Sequence, residues 1–233
     1  MTTTTKSETD NYFKACAELE IRIGKMRDGR FPDNLTFIVD MCLAYLHGET
    51  SDSDLELMAQ VDGDILETTE RIVELSKDYR DCFGNMFMVR AAQDRSNQVF
   101  TPEHIADLMA ECVGEYSSGN VIWDSCCGSG RLVLRGVKAA RRRGVEPVVY
   151  ASDVDLLCCK ITLLRMLLCG VSGVVAHADA ITGRVLSEGW ESYRVGNCNF
   201  WRKAYDKDNL IYPRHRDVGA SAVERVGEQL SLF

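Results

Sequence analysis

Val121-Ile122-Trp123-Asp124-Ser125-Cys126-Cys127-Gly128-Ser129-Gly130 decides the fold of this 233-residue chain. An apolar run ends in an aspartate, and two glycines two positions apart follow before a helix-forming stretch that starts near Arg131. Glycine accepts φ values that side chains forbid, so the turn lets the main chain approach a ligand closely. The helix behind it offers unpaired N–H groups and a positive dipole end to a carboxylate or phosphate. The stretch reads as a small-ligand site at the carboxyl end of a strand.

Working outward, Ser152-Asp153-Val154-Asp155 stands 23 residues after Gly130, where a second strand of an α/β unit ends, and an acid there is placed to hold ribose hydroxyls. A third strand candidate, Gly173-Val174-Val175-Ala176-His177, runs into Ala178-Asp179. Three consecutive strands each closing on a carboxylate are hard to explain by packing alone. Upstream stands Asn97-Gln98-Val99-Phe100-Thr101-Pro102-Glu103, where Thr101 can N-cap a helix with Pro102 at its first position. The spacing predicts that helix through Ile105, Leu108, Met109 and Cys112, then strand 120–123, helix 130–143, strand 147–152, helix 154–169 and strand 173–177. Strands alternating with helices imply a parallel sheet with right-handed crossovers.

Residues 10–95 read as helical, with Ile65, Leu66, Thr69, Ile72, Val73 and Tyr79 at one-face spacing and breaks at 28–33 and 48–53. The expected organisation is a helical region over 1–96, a ligand-binding core over 97–200 and a C-terminal arm over 201–233. After Thr182 the periodic signal fades, so the core reads as abbreviated and 193–217 as a loop, an arm or a partner-binding segment.

The constellation resembles the adenine-N6 DNA methyltransferases, and within them the modification subunits of type I restriction systems, over roughly residues 80 to 182. Phe100-Thr101-Pro102 looks like the family's cofactor motif, Asp124 to Gly130 resembles its D-P-x-C-G-S-G loop with Ser125 in the proline's place, and Asp153 and Asp179 fall at its later acidic positions. The resemblance implies a Rossmann-like S-adenosylmethionine-dependent core with a helical N-terminal region. Phe100, Thr101 and Pro102 would contact the methionine end of the cofactor, beside Asp124, Gly128 and Gly130. Asp153 would accept from the ribose hydroxyls, Val154 would cover the adenine face, and Asp179 would accept from the exocyclic amine. Ionised carboxylates are pure acceptors, which suits both partners. Asp155 reads instead as a helix N-cap.

Adenine-N6 enzymes hold the flipped base with an N-P-P-F or N-P-P-Y motif, which this chain lacks. The nearest counterpart is Asn197-Cys198-Asn199-Phe200, which makes Asn197 and Phe200 the candidate catalytic residues and an ordinary turn the competing reading. DNA is the implied substrate, with a separate specificity subunit as partner because no target-recognition domain fits. The tail Gln229-Leu230-Ser231-Leu232-Phe233 resembles the peptide by which bacterial proteins dock on the DNA polymerase sliding clamp, with Leu232 and Phe233 as apolar anchors. Two functions therefore stand side by side: a DNA adenine methyltransferase, or a degenerate methyltransferase-fold module recruited to DNA through the clamp. Phe100-Thr101-Pro102 argues against RNA or protein as methyl acceptor.

Composition narrows the setting. The net charge is −8, but all of the excess acid lies in residues 1–96, with 19 acids against 11 bases, whereas the remainder is balanced. Basic clusters at Lys138 with 141–143 and at Arg202, Lys203, Lys207, Arg214 and Arg216 could meet phosphate, although cations also favour helix C-termini. Ten cysteines contain no C-x-x-C pair and no companion histidines, so they read as small core residues of a reducing compartment rather than metal ligands. The start lacks the apolar core of a signal peptide, and the most apolar stretch, 156–169, carries Lys160 and Arg165 and is too short to span a bilayer. A cytoplasmic, bacterial protein with no membrane partner is expected.

Overall fold

In the computed structural model, residues 6–27, 30–94, 100–113 and 121–204 are described. The N-terminal part is helical: α1 (Lys6–Lys25), α2 (Phe31–Tyr45), α3 (Asp52–Met58), α4 (Gly63–Leu75) and α5 (Cys82–Asp94), with a 3₁₀ turn Lys77–Tyr79 before α5. The caps follow local chemistry. Ser51 and Asp54 form a capping box on α3, and the Asp62 carboxylate accepts from the Ile65 N–H on α4. Pro32 sits in the first turn of α2, where its missing N–H costs nothing.

The rest alternates as expected: α6 (Glu103–Cys112), β1 (Val121–Asp124), α7 (Arg131–Arg142), β2 (Val148–Asp153), α8 (Leu156–Leu168) and β3 (Gly173–Asp179). The strands β1, β2 and β3 are adjacent and parallel. Two right-handed crossovers moving in one direction place α7 and α8 on the same face of the sheet. Helix α8 is buried on nearly every side because it lies between that face and the helical layer, against α2. One hydrophobic core consequently runs from Leu19 and Ile38 through Phe83, Ile161 and Leu164 to Val149 and Val175.

After the parallel strands come β4 (Arg184–Val195) and β5 (Cys198–Lys203), each antiparallel to its neighbour, so the sheet is mixed, and residues 193–203, expected in a loop, an arm or a partner-binding segment, lie in a hairpin. Helix α6 takes Pro102, not the expected Thr101, as its N-cap, and no side chain caps it, since proline has no side-chain acceptor; the Thr101 carbonyl accepts from Arg131. The register of β4 slips between Ala176 and Ala178, where three residues of β4, 186–188, stand opposite the single residue His177.

Strand β5 docks on the helical layer. Trp201 donates its indole N–H to the Leu43 carbonyl at 2.7 Å, and its ring stacks on His47 with centroids 3.9 Å apart and planes 5° from parallel. The two segments also exchange main-chain hydrogen bonds, Trp201 N–H to Leu46 carbonyl and Gly48 N–H to Trp201 carbonyl.

Candidate functional site

The register aligns the three strand-end acids. Asp124 pairs with Ala151, two residues short of Asp153, and Asp153 pairs with His177, two residues short of Asp179. Because strand side chains alternate, residues two apart share a face, so Asp124, Asp153 and Asp179 climb one face of the sheet as a diagonal. From strand spacing and rise, each step is about 8 Å between Cα atoms. Three carboxylates at such intervals match a ligand with several separated donors.

The glycine turn is braced by hydrogen bonds to the ends of β1 and β2. The Asp124 carboxylate accepts from the Cys126 N–H at 3.0 Å, turning the chain back, and the Cys127 N–H bonds to the Ser152 carbonyl at 2.9 Å. Asp153 Oδ2 accepts from the Gly128 N–H at 2.8 Å, while its Oδ1 accepts from the Asp155 N–H at 2.9 Å. Each oxygen keeps further acceptor capacity. Thr162 donates to the Gly128 carbonyl at 3.0 Å, and Cys127 is buried beneath the turn. Gly128 and Gly130 have φ of 52° and 74°, the left-handed region that favours glycine. A Cβ on Gly128 would come 3.2 Å from the Phe100 ring, which stacks on Phe87 at 5.0 Å.

Electrostatics separate the three acids. Burial pushes the Asp124 carboxyl above the ordinary 3.8; the Cys126 N–H opposes this and the Asp153 charge reinforces it. Asp179 is half-buried and held below the ordinary value by the Thr182 hydroxyl and by the N–H groups of Ile181 and Thr182. Asp155 caps α8 through the N–H groups of Leu157 and Cys158, as its sequence context implied. Val154 and Ile181, beside Asp153 and Asp179, are 67% and 97% exposed, leaving apolar surface beside the acceptors.

The structure does not bring Asn197 and Phe200 to this site. Val195 pairs with Cys198 at the tip of the β4–β5 hairpin, and Ser192 pairs with Gly173, the first residue of β3. The tip therefore points past the amino ends of the parallel strands, away from the carboxyl ends where the acids stand. Phe200 lies against Tyr193 and close to Gly48. The tail 229–233 lies outside the described residues, as do Lys207, Arg214 and Arg216.

The remaining basic clusters are satisfied within the chain. Lys138 pairs with Asp78, Arg141 with Glu146, Arg142 and Arg143 with Glu111, Arg202 with Glu191 and Lys203 with Glu188. The cysteines in the structure are free thiols, and among the described residues no group of His, Cys, Asp or Glu could hold a metal ion. No helix among them is long and apolar enough to cross a membrane.

Sequence reading missed several residues that build the site. His177 faces the Val154 carbonyl through Nε2 at 3.0 Å and the Ser187 hydroxyl through Nδ1 at 2.7 Å. A carbonyl only accepts, so Nε2 carries the proton and Ser187 donates. The β4 bulge brings Ser187 there, and the contact fixes the backbone that displays Val154. Arg131, Arg165 and Asp81, discussed below, gave no pattern beyond ordinary helix positions.

The model of the N-6 DNA methylase family matches residues 79–224. Among curated proteins, the methylase subunit of the type I restriction enzyme MpnII of Mycoplasma pneumoniae is 24% identical over 155 residues, which is 62% of this chain and 26% of that protein. The chain thus spans about a quarter of that relative's length. Among solved structures, a protein assigned to the class I S-adenosylmethionine-dependent methyltransferases, from Listeria monocytogenes, superposes with a TM-score of 0.50 at 14% identity, over 79% of this chain and 57% of that one. A methyltransferase subunit of a type I restriction-modification system from Streptococcus thermophilus gives 0.44 at 14% identity, over 74% and 59%. The Listeria likeness is one of fold, the Rossmann-like core in which strands deliver site residues from their carboxyl ends.

Proposed function

The chain belongs to the N-6 DNA methylase family, and from that premise we propose that it binds S-adenosylmethionine across the carboxyl ends of β1, β2 and β3 and serves adenine-N6 methylation of DNA together with a partner subunit. The observation that carries this reading is the one-face diagonal of Asp124, Asp153 and Asp179 over a turn whose Gly128 holds a left-handed φ with the Phe100 ring 3.2 Å from where a Cβ would stand.

The residues present fit that cofactor. Asp153 has acceptor capacity left for ribose hydroxyls, Asp179 is a half-buried acceptor for an exocyclic amine, and Val154 and Ile181 offer apolar faces to a ring. Gly128, Gly130 and the Phe100 to Pro102 segment form the wall for the amino-acid end. When bound, the cofactor supplies a methyl group activated on a sulfonium. The chain's own contribution is to orient it: the carboxylates fix the nucleoside, and the braced turn keeps the main chain from shifting.

The contacts that would hold a flipped adenine are assigned to the partner. Asn197 and Phe200 lie at the other end of the sheet, and the basic side chains described above are paired within the chain, so the DNA-binding and base-holding surface is expected on a separate specificity or modification subunit. The same placement of Asn197 favours a second reading, a methyltransferase-fold module that binds cofactor without turning it over and reaches DNA through the sliding clamp with its 229–233 tail.

Incubation with methyl-labelled cofactor and unmethylated DNA, with and without candidate partner subunits and clamp, followed by nucleoside analysis, separates the two. Labelled N6-methyladenine supports transfer. Cofactor binding with no transfer in any combination supports the module, and absence of cofactor binding sinks both.

A further inference from the structure

One buried carboxylate joins the helical layer to both walls of the site. Asp81, just before α5, is fully buried. Its Oδ1 accepts from the Gly84 N–H at 2.9 Å and lies 3.3 Å from Arg165 Nη1. Its Oδ2 accepts from the Ser129 hydroxyl at 2.6 Å and from Arg131 Nε at 2.7 Å. Gly84 belongs to α5, and each of the three side-chain donors belongs to a wall of the site or grips one. Ser129 sits between the two turn glycines. Arg165 donates to the Ser129 carbonyl at 2.5 Å and to the carbonyls of Tyr79 and Arg80 at 3.4 and 3.1 Å. Arg131 donates to the Thr101 carbonyl at 2.5 Å and to Asn85 Oδ1 at 2.8 Å.

The arrangement leaves no slack. A Cβ on Gly84 would stand 2.3 Å from Asp81 Oδ2, 2.6 Å from Arg131 Nη2 and 2.8 Å from Ser129 Oγ. Burying ions without gain is costly, and a well-packed apolar contact would glue two layers as well or better. What an ionic node adds is direction, because its hydrogen bonds fix particular atoms rather than surfaces. The atoms fixed here are the main chain of the glycine turn and the Thr101 carbonyl next to Phe100.

We propose that Asp81 is a positioning residue for the cofactor site: through Ser129 and Arg131 it holds the glycine turn and the Phe100-Thr101-Pro102 segment in one fixed relation, so that the helical layer is a working part of the site. The proposal rests on the reading that the turn receives S-adenosylmethionine.

The test compares the full chain with Asp81→Asn, Ser129→Ala, the double variant and Asp62→Ala, which removes the remote cap of α4. Binding of S-adenosylhomocysteine is measured by calorimetry, and amide hydrogen exchange is followed in the free protein. Asp81→Asn keeps the size and one acceptor, and is expected to weaken binding at least tenfold and to speed exchange in residues 100–101 and 126–130 while sparing β4 and β5. The double variant is expected to bind no worse than the weaker single, since both changes cut one link. Asp62→Ala, although less stable, is expected to bind within twofold of the parent.

Parent-like affinity in Asp81→Asn, additive losses in the double variant, or unchanged exchange at the turn overturns the proposal. If the parent itself binds no S-adenosylhomocysteine, the cofactor reading fails, and exchange alone still decides whether Asp81 orders the turn. Should Asp81→Asn not fold, Arg131→Lys takes its place, since an ammonium cannot reach Asp81, Asn85 and Thr101 together, and the same outcomes apply.

Discussion

Replacing Asp153 with asparagine separates the brace from the ligand contact. Asp153 uses one oxygen on the Gly128 N–H and the other on the Asp155 N–H. An amide has a single acceptor oxygen, so in either orientation one of those buried N–H groups faces an NH₂ instead. The unmatched donor costs about 1–3 kcal/mol of stability. A ribose hydroxyl also loses a charged acceptor, worth roughly 1.5–3 kcal/mol, or about 10- to 150-fold in affinity at 1.4 kcal/mol per decade. Asp155→Ala is the matched control, because it removes the α8 cap and leaves the Asp153 carboxylate in place, for about 1 kcal/mol of stability and no change in binding. Urea unfolding and calorimetry with S-adenosylhomocysteine measure both quantities. The reasoning is refuted if Asp153→Asn binds within twofold of the parent, or if Asp155→Ala weakens binding as much.

Trp201→Ala empties a buried site and unstacks His47, an expected loss of about 3–5 kcal/mol by urea unfolding; Trp201→Phe should lose only about 0.5–1.5 kcal/mol, because the Leu43 carbonyl still accepts from the Leu46 N–H, and equal losses in the two variants would contradict the assignment of most of the loss to ring packing. Acid stability should depend on Asp81. Burial raises its carboxyl, but Arg165, Arg131, Ser129 and the Gly84 N–H together bring it below the ordinary 3.8. A depressed carboxylate contributes stability above the unfolded-state value, and that contribution fades as pH falls through the lower folded value. Asp81→Asn should therefore show a flatter stability profile below about pH 4, and a profile as steep as the parent's would count against the pairing. Asn197→Ala and Phe200→Leu should leave cofactor affinity unchanged, and a tenfold loss in either would place the hairpin tip in the site after all. Deleting residues 229–233 should abolish capture by immobilised sliding clamp if the tail docks there, and retention after deletion would exclude the tail.

Local chemistry made the parallel half of the sheet legible. A strand that ends in an acid, a turn that requires glycine and a helix that starts after it are all decided by neighbours in sequence, so β1 to β3 and the Asp155 cap could be read directly. Strands β4 and β5 could not, because Arg184–Val195 buries its residues irregularly instead of alternating, and its pairing depends on β3 and on Trp201 meeting α2. The expected Thr101 cap falls one residue later, at Pro102, beside a carbonyl that an arginine 30 residues away holds, a contact that local sequence does not announce. Asp81 carried no signal, since a lone carboxylate before a helix is an everyday cap until two distant arginines converge on it.

The span of those contacts also orders events in time. Arg165 grips the carbonyls of Tyr79 and Arg80 and faces Asp81 across more than eighty positions of chain. During synthesis at about 5–20 residues per second, the segment around Asp81 emerges roughly 4–17 s before its partner on α8 exists. For that interval the helices already made cannot close around the carboxylate, and the ligand pocket has no floor. The last helix of the parallel unit thus acts as the latch that finishes both layers at once, and a nascent chain halted before α8 would be expected to remain open to proteases at the junction near residue 80.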